Sequence, residues 1–232
     1  MKNRQRILLL LIIVSLIFSF VGCSGEEPDR EYDEAEVISE AKRLIPLSAV
    51  LNEIYYGKGI GYEENSNENL GAYKIASQNS LSEYGITTIE DLKAKTRTVF
   101  SENVSNTMFS TVLAAIADDD DTIVRYARYY QKTDDKGNPI AIMVLSNYDY
   151  VLKNEIEYGD NITVADVEGQ IIKLSVPVRL TREDGTVKEK TLTIEMIEEE
   201  SGWRLASATY AIYNASTEIY EDLLDRLEQG NK

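Results

Sequence analysis

The chain has 232 residues, 40 acids against 24 lysines and arginines, a formal net charge of −16, one cysteine and no histidine. Without histidine it lacks the commonest general base and metal ligand, which excludes Ser-His-Asp hydrolases, Cys-His proteases and zinc enzymes that rely on imidazole. A single cysteine excludes an internal disulfide, a zinc ribbon and an iron–sulfur cluster. A hydrophobic content of 43% is enough for a core and excludes a wholly disordered chain.

The N-terminus carries Lys2, Arg4 and Arg6 and no acid, and Ile7 to Val21 is uncharged and apolar. That run is short for a membrane-spanning helix, which needs about 20 residues, and it has the size of a secretory h-region. It ends in Phe20-Val21-Gly22-Cys23, which resembles a bacterial lipobox, with Phe20 standing where leucine is usual. The resemblance implies cleavage after residue 22, diacylglycerol on the Cys23 thiol and a lipid anchor on the extracytoplasmic face of the cell membrane. An ordinary signal peptide or an uncleaved anchor would leave Cys23 incidental, whereas lipidation gives the only thiol a role and two acyl chains, enough for stable anchoring. Loss of residues 1–22 removes Lys2, Arg4 and Arg6 and no acid, taking the net charge from −16 to −19. Such a surface repels nucleic acid and anionic lipid, so a charged partner is expected to be basic. Acidity that serves solubility alone is the other reading.

Residues 23–33 read as an acidic tether containing Pro28, and 34–232 as one α+β domain. Val37/Ile38, Ala41, Leu44/Ile45, Leu51 and Ile54/Tyr55 have helical spacing. Pro46 either kinks one long helix or opens a second, and Gly57 is the stop. Residues 57–85 are rich in Gly and Asn and are expected as a long loop with a short strand at Tyr73-Lys74-Ile75. Thr87-Thr88-Ile89-Glu90 has the form of a capping box, with Glu three residues after the Thr87 cap. Ser101 caps the next helix, which faces inward through Val104, Met108 and Val112. Four acids, Asp118–Asp121, oppose a helix C-terminus, so that helix stops before them.

From Thr122 the period is two. Strands are expected over 122–131 and 139–146 around a turn at Thr133–Asn138. Ile172, Leu174, Val176, Val178 and Leu180 alternate with Lys173, Ser175, Pro177 and Arg179, so this strand is half-buried, and its proline suggests an edge or a bulge. Glu183-Asp184-Gly185 turns the chain into a strand through Leu192, Ile194 and Met196. Ser201-Gly202 turns it again into Trp203-Arg204-Leu205. A last helix over 215–229 presents Ile219, Leu223 and Leu227. The layout is N-terminal helices packed on one face of a curved antiparallel sheet, plus a C-terminal helix. With Thr191–Glu198, Ser201-Gly202-Trp203-Arg204-Leu205 and Ala208-Thr209-Tyr210, it resembles the NTF2-like (cystatin-like) domains of exported Gram-positive lipoproteins over about residues 85–213.

Candidate sites are few. Asp118–Asp121 lacks calcium-loop spacing: the sixth residue is Ile123 where glycine is needed, and the twelfth is Tyr129 where glutamate is needed. Asp134–Asn138 reads as a hairpin turn. Gly57-Lys58-Gly59-Ile60-Gly61 lacks the terminal Lys-Ser/Thr pair of a phosphate loop and follows a helix. The many tyrosines, including Tyr55, Tyr56, Tyr126, Tyr129, Tyr130, Tyr148 and Tyr150, line either a cleft or a small core. Some enzymes of the resembled fold set a carboxylate and a tyrosine in the cone under the sheet, and Asp166 and Tyr210 are placed on strands. Nothing in their spacing singles them out, so no catalytic residue, metal or cofactor is expected, and Trp203 is expected to be structural. The function expected is a lipid-anchored binding or protein-interaction module without catalysis. Two alternatives stand beside it. Gly57–Gly61, Thr88–Leu92 and Val99–Ser101 resemble endopeptidase-inhibitor proteins of Gram-positive bacteria, implying regulation of peptidoglycan hydrolases. The cone implies an enzyme of ketosteroid-isomerase type.

Overall fold

The computed structural model describes residues 32–117, 123–150, 152, 155–181 and 185–209. Cys23, most of the tether, Asp118–Asp121, Tyr210 and the expected C-terminal helix lie outside the described residues.

Asp33 starts helix α1 (Glu34–Tyr56): its carboxylate accepts from the backbone of Ala35 and Glu36, filling donors that the helix leaves open. One helix continues through Pro46. The proline removes the donor to the Lys42 carbonyl, but both residues lie on the exposed side, where that carbonyl is open to solvent and its loss of a partner costs little. The opposite side, from Val37 to Tyr55, is buried. Gly57 ends the helix as expected, its N–H bonded to the carbonyls of Asn52 and Glu53. No helix among the described residues is long and apolar enough to cross a membrane.

The glycine-rich segment after α1 holds the short strand β1 (Tyr73–Ile75) and also a helix, α2 (Gln78–Tyr84), that its composition concealed. Helix α3 (Ile89–Arg97) is capped one residue later than expected. Thr88, not Thr87, takes the extended cap conformation, and its hydroxyl accepts from the Asp91 N–H at 3.0 Å. The Asp91 carboxylate accepts in return from the Thr87 hydroxyl and from the N–H groups of Thr87 and Thr88. These bonds, that from the Thr87 hydroxyl foremost, lower its pKa from 3.8 to about 2. A carboxylate with a depressed folded pKa contributes stability that is full above its unfolded pKa and is lost as pH falls through the folded one. Asp91→Asn should therefore flatten the acid limb of the stability curve between about pH 4 and pH 2. Urea midpoints that keep the wild-type slope in that window would refute the assignment.

Helix α4 (Glu102–Val112) is capped by Ser101, as expected. Strands β2 (Ile116–Ala117) and β3 (Ile123–Arg125) form a small pair. The strand expected over 122–131 is broken, because Tyr126, Ala127 and Arg128 separate β3 from β4 (Tyr129–Thr133). Strand β5 (Pro139–Leu145) pairs with both β4 and β1, giving the order β1-β5-β4. A larger sheet contains β6 (Glu155–Tyr158), β7 (Thr163–Glu168), β8 (Ile171–Thr181), β9 (Val187–Glu199) and β10 (Gly202–Leu205). Its order is β10-β9-β8-β6, with β7 also on β8, and it curls into a half-barrel.

The alternation expected for β8 is observed. Ile172, Leu174, Val176, Val178 and Leu180 are buried, and Leu192, Ile194 and Met196 of β9 lie beside them in register. Pro177 is neither at an edge nor in a bulge. β8 is central, and β6 and β7 lie end to end along its flank, so Pro177 falls where one gives way to the other. In an antiparallel strand the N–H and C=O of a residue point to the same neighbour. The Pro177 carbonyl accepts from Gly159 on that flank, so the missing N–H faces the β6–β7 turn and leaves the ladder to β9 intact. An added Cβ on Gly159 would stand 3.3–3.4 Å from Pro177, a fit close enough that the proline would have to give by a few tenths of an ångström.

Buried polar groups tie the helices to the sheet. The Ser48 hydroxyl donates to the Ile45 carbonyl and lies 2.7 Å from the Thr209 hydroxyl, which accepts from Asn52 Nδ2 at 2.9 Å. With the serine proton used, the sequence of donation runs Asn52 to Thr209 to Ser48 to Ile45. Likewise Thr96 donates to the Leu92 carbonyl, so the Tyr55 hydroxyl donates to Thr96 at 2.9 Å and joins α1 to α3. The outer edge of β10 is sealed by the α3–α4 link: Leu205 donates to Val99 and accepts from Ser101. Trp203 is buried, and its indole N–H donates to Glu36 in the first turn of α1.

Candidate functional site

The first constellation lies inside the fold. Gly57–Gly61 wraps the end of α1 around Arg128, a residue only 3% exposed. The guanidinium donates to the carbonyls of Tyr55, Gly57 and Lys58 at 3.0, 2.6 and 2.7 Å. The Tyr129 and Tyr148 rings flank it, their centroids 5.1 and 4.5 Å away. Three carbonyls converge here, that of Tyr55 from the last turn of α1 and those of Gly57 and Lys58 from the segment just beyond it, so the cradle lies at the negative end of the helix dipole, suits a cation and is filled by one from the chain itself. Tyr129 completes it by donating to the Ile54 carbonyl and accepting from the Ile60 N–H. Burial raises the Tyr129 pKa, so the hydroxyl stays protonated. Gly59 has φ +77°, and a Cβ there would lie 2.1 Å from the Tyr129 oxygen, so conformation and space both require glycine. The glycine motif is thus structural.

The tyrosines do not form one cleft among the described residues. Tyr55 and Tyr129 are in the core. Tyr73 and Tyr130 meet edge to face at 4.8 Å on the three-stranded sheet, Tyr73 donating to the Ala127 carbonyl. Tyr126 is exposed in the break between strands. Asp166 does not face the space beneath the large sheet. It lies exposed at the irregularity of β7, 3.7 Å from Lys173. The buried polar and charged side chains among the described residues are Ser48, Asn52, Thr96, Ser101, Ser105, Arg128, Arg204 and Thr209, with no carboxylate.

The second constellation is the outer face of the large sheet. Residues opposite one another in register share a face, so this face can be read in rows. Glu157, Arg179 and Glu189 form one, Gly159, Pro177 and Thr191 the next, then Thr163, Ser175 and Thr193. Asp166, Lys173 and Glu195 follow, and then Glu168, Ile171, Ile197 and Arg204, the last buried and bonded to the Arg97 carbonyl. Two depressions open along it. One of about 510 Å³ centres on Gly159 and Pro177, whose small or ring-closed side chains leave a dip beside Arg179 and Glu189. The other, about 590 Å³, lies where the first turns of α4 meet β8 and β9. Ile171, Ile197 and Ala206 are among its lining residues, with Glu102, Asn103, Asn106, Glu195 and Glu199 around them. Glu199 accepts from the Glu102 N–H at 3.1 Å, which fixes its carboxylate at the start of α4. Lys173 lies 2.5 Å from Glu168 and 3.7 Å from Asp166, and these acids raise its pKa, the bond to Glu168 first.

Alternation in β8 and β9 makes this face legible in the sequence. The approach of Asn103 and Asn106 to it is not, because it depends on where α4 packs. The role of Arg128 carries no sequence signal, since one arginine near a hairpin looks like any surface cation.

Comparison with protein-family models, with characterised proteins and with solved structures returns no match to this chain.

Proposed function

We propose that this chain is a lipid-anchored binding or protein-interaction module, held at the extracytoplasmic face of the cell membrane by diacylglycerol on Cys23 and acting without catalysis. The observation that carries the reading is the outer face of the five-stranded sheet, patterned in rows across its strands and opened by two depressions. The charged and hydroxyl side chains of those rows, set around the two depressions, are the groups a partner would meet. We assign the domain to the NTF2-like layout, with residues 215–229 as a closing amphipathic helix, on the order of helices before strands and the curl of the sheet. The inhibitor reading draws on Gly57–Gly61 and Thr88–Leu92. The first of these segments cradles Arg128 and the second forms the α3 cap, so neither singles out that function. The isomerase reading needs an inward carboxylate, and Asp166 lies outward beside Lys173.

Two measurements test the proposal. Cys23→Ser should move the protein from the membrane to the medium or leave it uncleaved. The membrane form of the wild type should carry a diacylglyceryl-sized mass on an N-terminal Cys23, and a mature N-terminus at any other residue would sink the anchor. A photo-reactive residue placed at Thr193, in the middle of the outer face, should give a discrete protein adduct in intact cells. No adduct there or at neighbouring rows would sink the interaction role.

A further inference from the structure

The depression between α4 and the sheet has a pattern that names its occupant. Glu195, Ile197 and Glu199 stand at alternate positions of β9 and point to the same face. They present acid, apolar and acid at steps of about 6.7 Å along the strand. Ile197 is paired in register with Ile171, so the apolar middle of the row extends across two strands. Asn103 and Asn106 of α4 line the opposite wall, where side-chain amides can meet a peptide backbone. The charge around the groove is unbalanced: Asp166, Glu168 and Glu195 lie about Lys173, Glu102 and Glu199 add two more carboxylates, and Arg204, in register with Ile197, is buried with its guanidinium bonded to the carbonyls of Arg97, Trp203 and Ser201.

The carboxylates are spread along a row, and among the described residues no group of acids is placed to hold a metal ion. What such a row complements is a set of cations at the same spacing with an apolar group between them. We propose that this groove takes an extended basic segment of a protein partner, with lysine or arginine two residues either side of an aliphatic residue. The extended backbone of such a segment repeats at the same step as β9, so its two cations reach Glu195 and Glu199 while its aliphatic residue covers Ile171 and Ile197. This inference rests on the interaction-module reading and specifies the partner's chemistry.

The test uses the full-length protein in detergent and a fluorescein-labelled heptapeptide, Gly-Lys-Thr-Val-Thr-Lys-Gly, followed by anisotropy. Saturable binding is expected, weakening steeply as salt is raised because the pairs lie at a partly solvated rim. The double substitution Glu195→Gln with Glu199→Gln should weaken it about tenfold or more while the melting temperature holds, since glutamine still accepts from the Glu102 N–H. Ile197→Ser should weaken it independently and without changing the salt slope. Undiminished binding to the double variant would overturn the proposal. Equal affinity for spermine would do the same, as would an equal loss from Glu157→Gln with Glu189→Gln at the far end of the face. If the peptide fails to bind while Thr193 still captures a partner in cells, the interaction module stands and the basic segment falls. If both fail, the module falls with it.

Discussion

Arg128→Met is expected to lower the stability of the folded chain by about 3–5 kcal/mol, more than any surface substitution. The side chain is 3% exposed and makes three bonds to backbone carbonyls at the end of α1. Methionine matches much of its length but returns no donor, leaving the carbonyls of Tyr55, Gly57 and Lys58 desolvated. It also removes the cation that opposes the negative end of the α1 dipole, a favourable pairing of up to about 2 kcal/mol in partly buried sites. For a chain of this size the loss corresponds to a fall of roughly 10 °C in melting temperature, at about 2–4 °C per kcal/mol. Arg128→Lys should recover only part of it, because one ammonium cannot reproduce the planar fork that reaches carbonyls on three residues. Thermal melts of the three proteins check this order. A methionine variant that melts within a few degrees of wild type would show that water satisfies the cradle.

Trp203→Ala is expected to cost a similar amount, about 3–5 kcal/mol, by a different route. The ring is buried in the main core, and the indole N–H reaches Glu36 at 3.4 Å. Removing it opens a cavity between β10 and α1 and unties the start of the longest helix from the sheet. The folded wild type should emit blue-shifted fluorescence that acrylamide quenches poorly. Trp203→Phe keeps most of the apolar volume but not the donor, so it should lie between wild type and alanine. Red-shifted, freely quenched emission, with stability unchanged in Trp203→Ala, would overturn the structural assignment and make this residue a binding platform.

The two residues differ in how far they could be anticipated. Trp203 follows a Ser-Gly turn and begins an alternating strand, a setting in which a large aromatic closes one end of a sheet. Arg128 lies in a stretch that reads as continuous strand, and its burial is decided by the loop after α1, far away in sequence.

Local patterning alone fixed most of the elements. The spacing from Val37 to Tyr55 marked α1, Ser101 marked the start of α4, and the strict alternation in 172–180 and 192–196 identified the buried and outer faces of β8 and β9. These signals are local because helix caps and side-chain periods depend on neighbouring residues. Short-range rules also ran out at definite places. Thr87 and Thr88 are equally good caps by type, and the choice of Thr88 rests on its extended backbone and on the two threonines both bonding Asp91. Helix α2 is concealed by its glycine- and asparagine-rich surroundings. Pro177 argued for an edge, yet a central strand accommodates it because its flanking strand is split at Gly159. The groove between α4 and β9 required the tertiary structure, since the two walls are about ninety residues apart in the chain. What the sequence determined by itself was the periodicity of α1, α4, β8 and β9 and the acid–apolar–acid order at Glu195, Ile197 and Glu199. What only the packing decided was which of these faces turned inward against the helices, because burial depends on the elements that meet it and no residue encodes its distant neighbour.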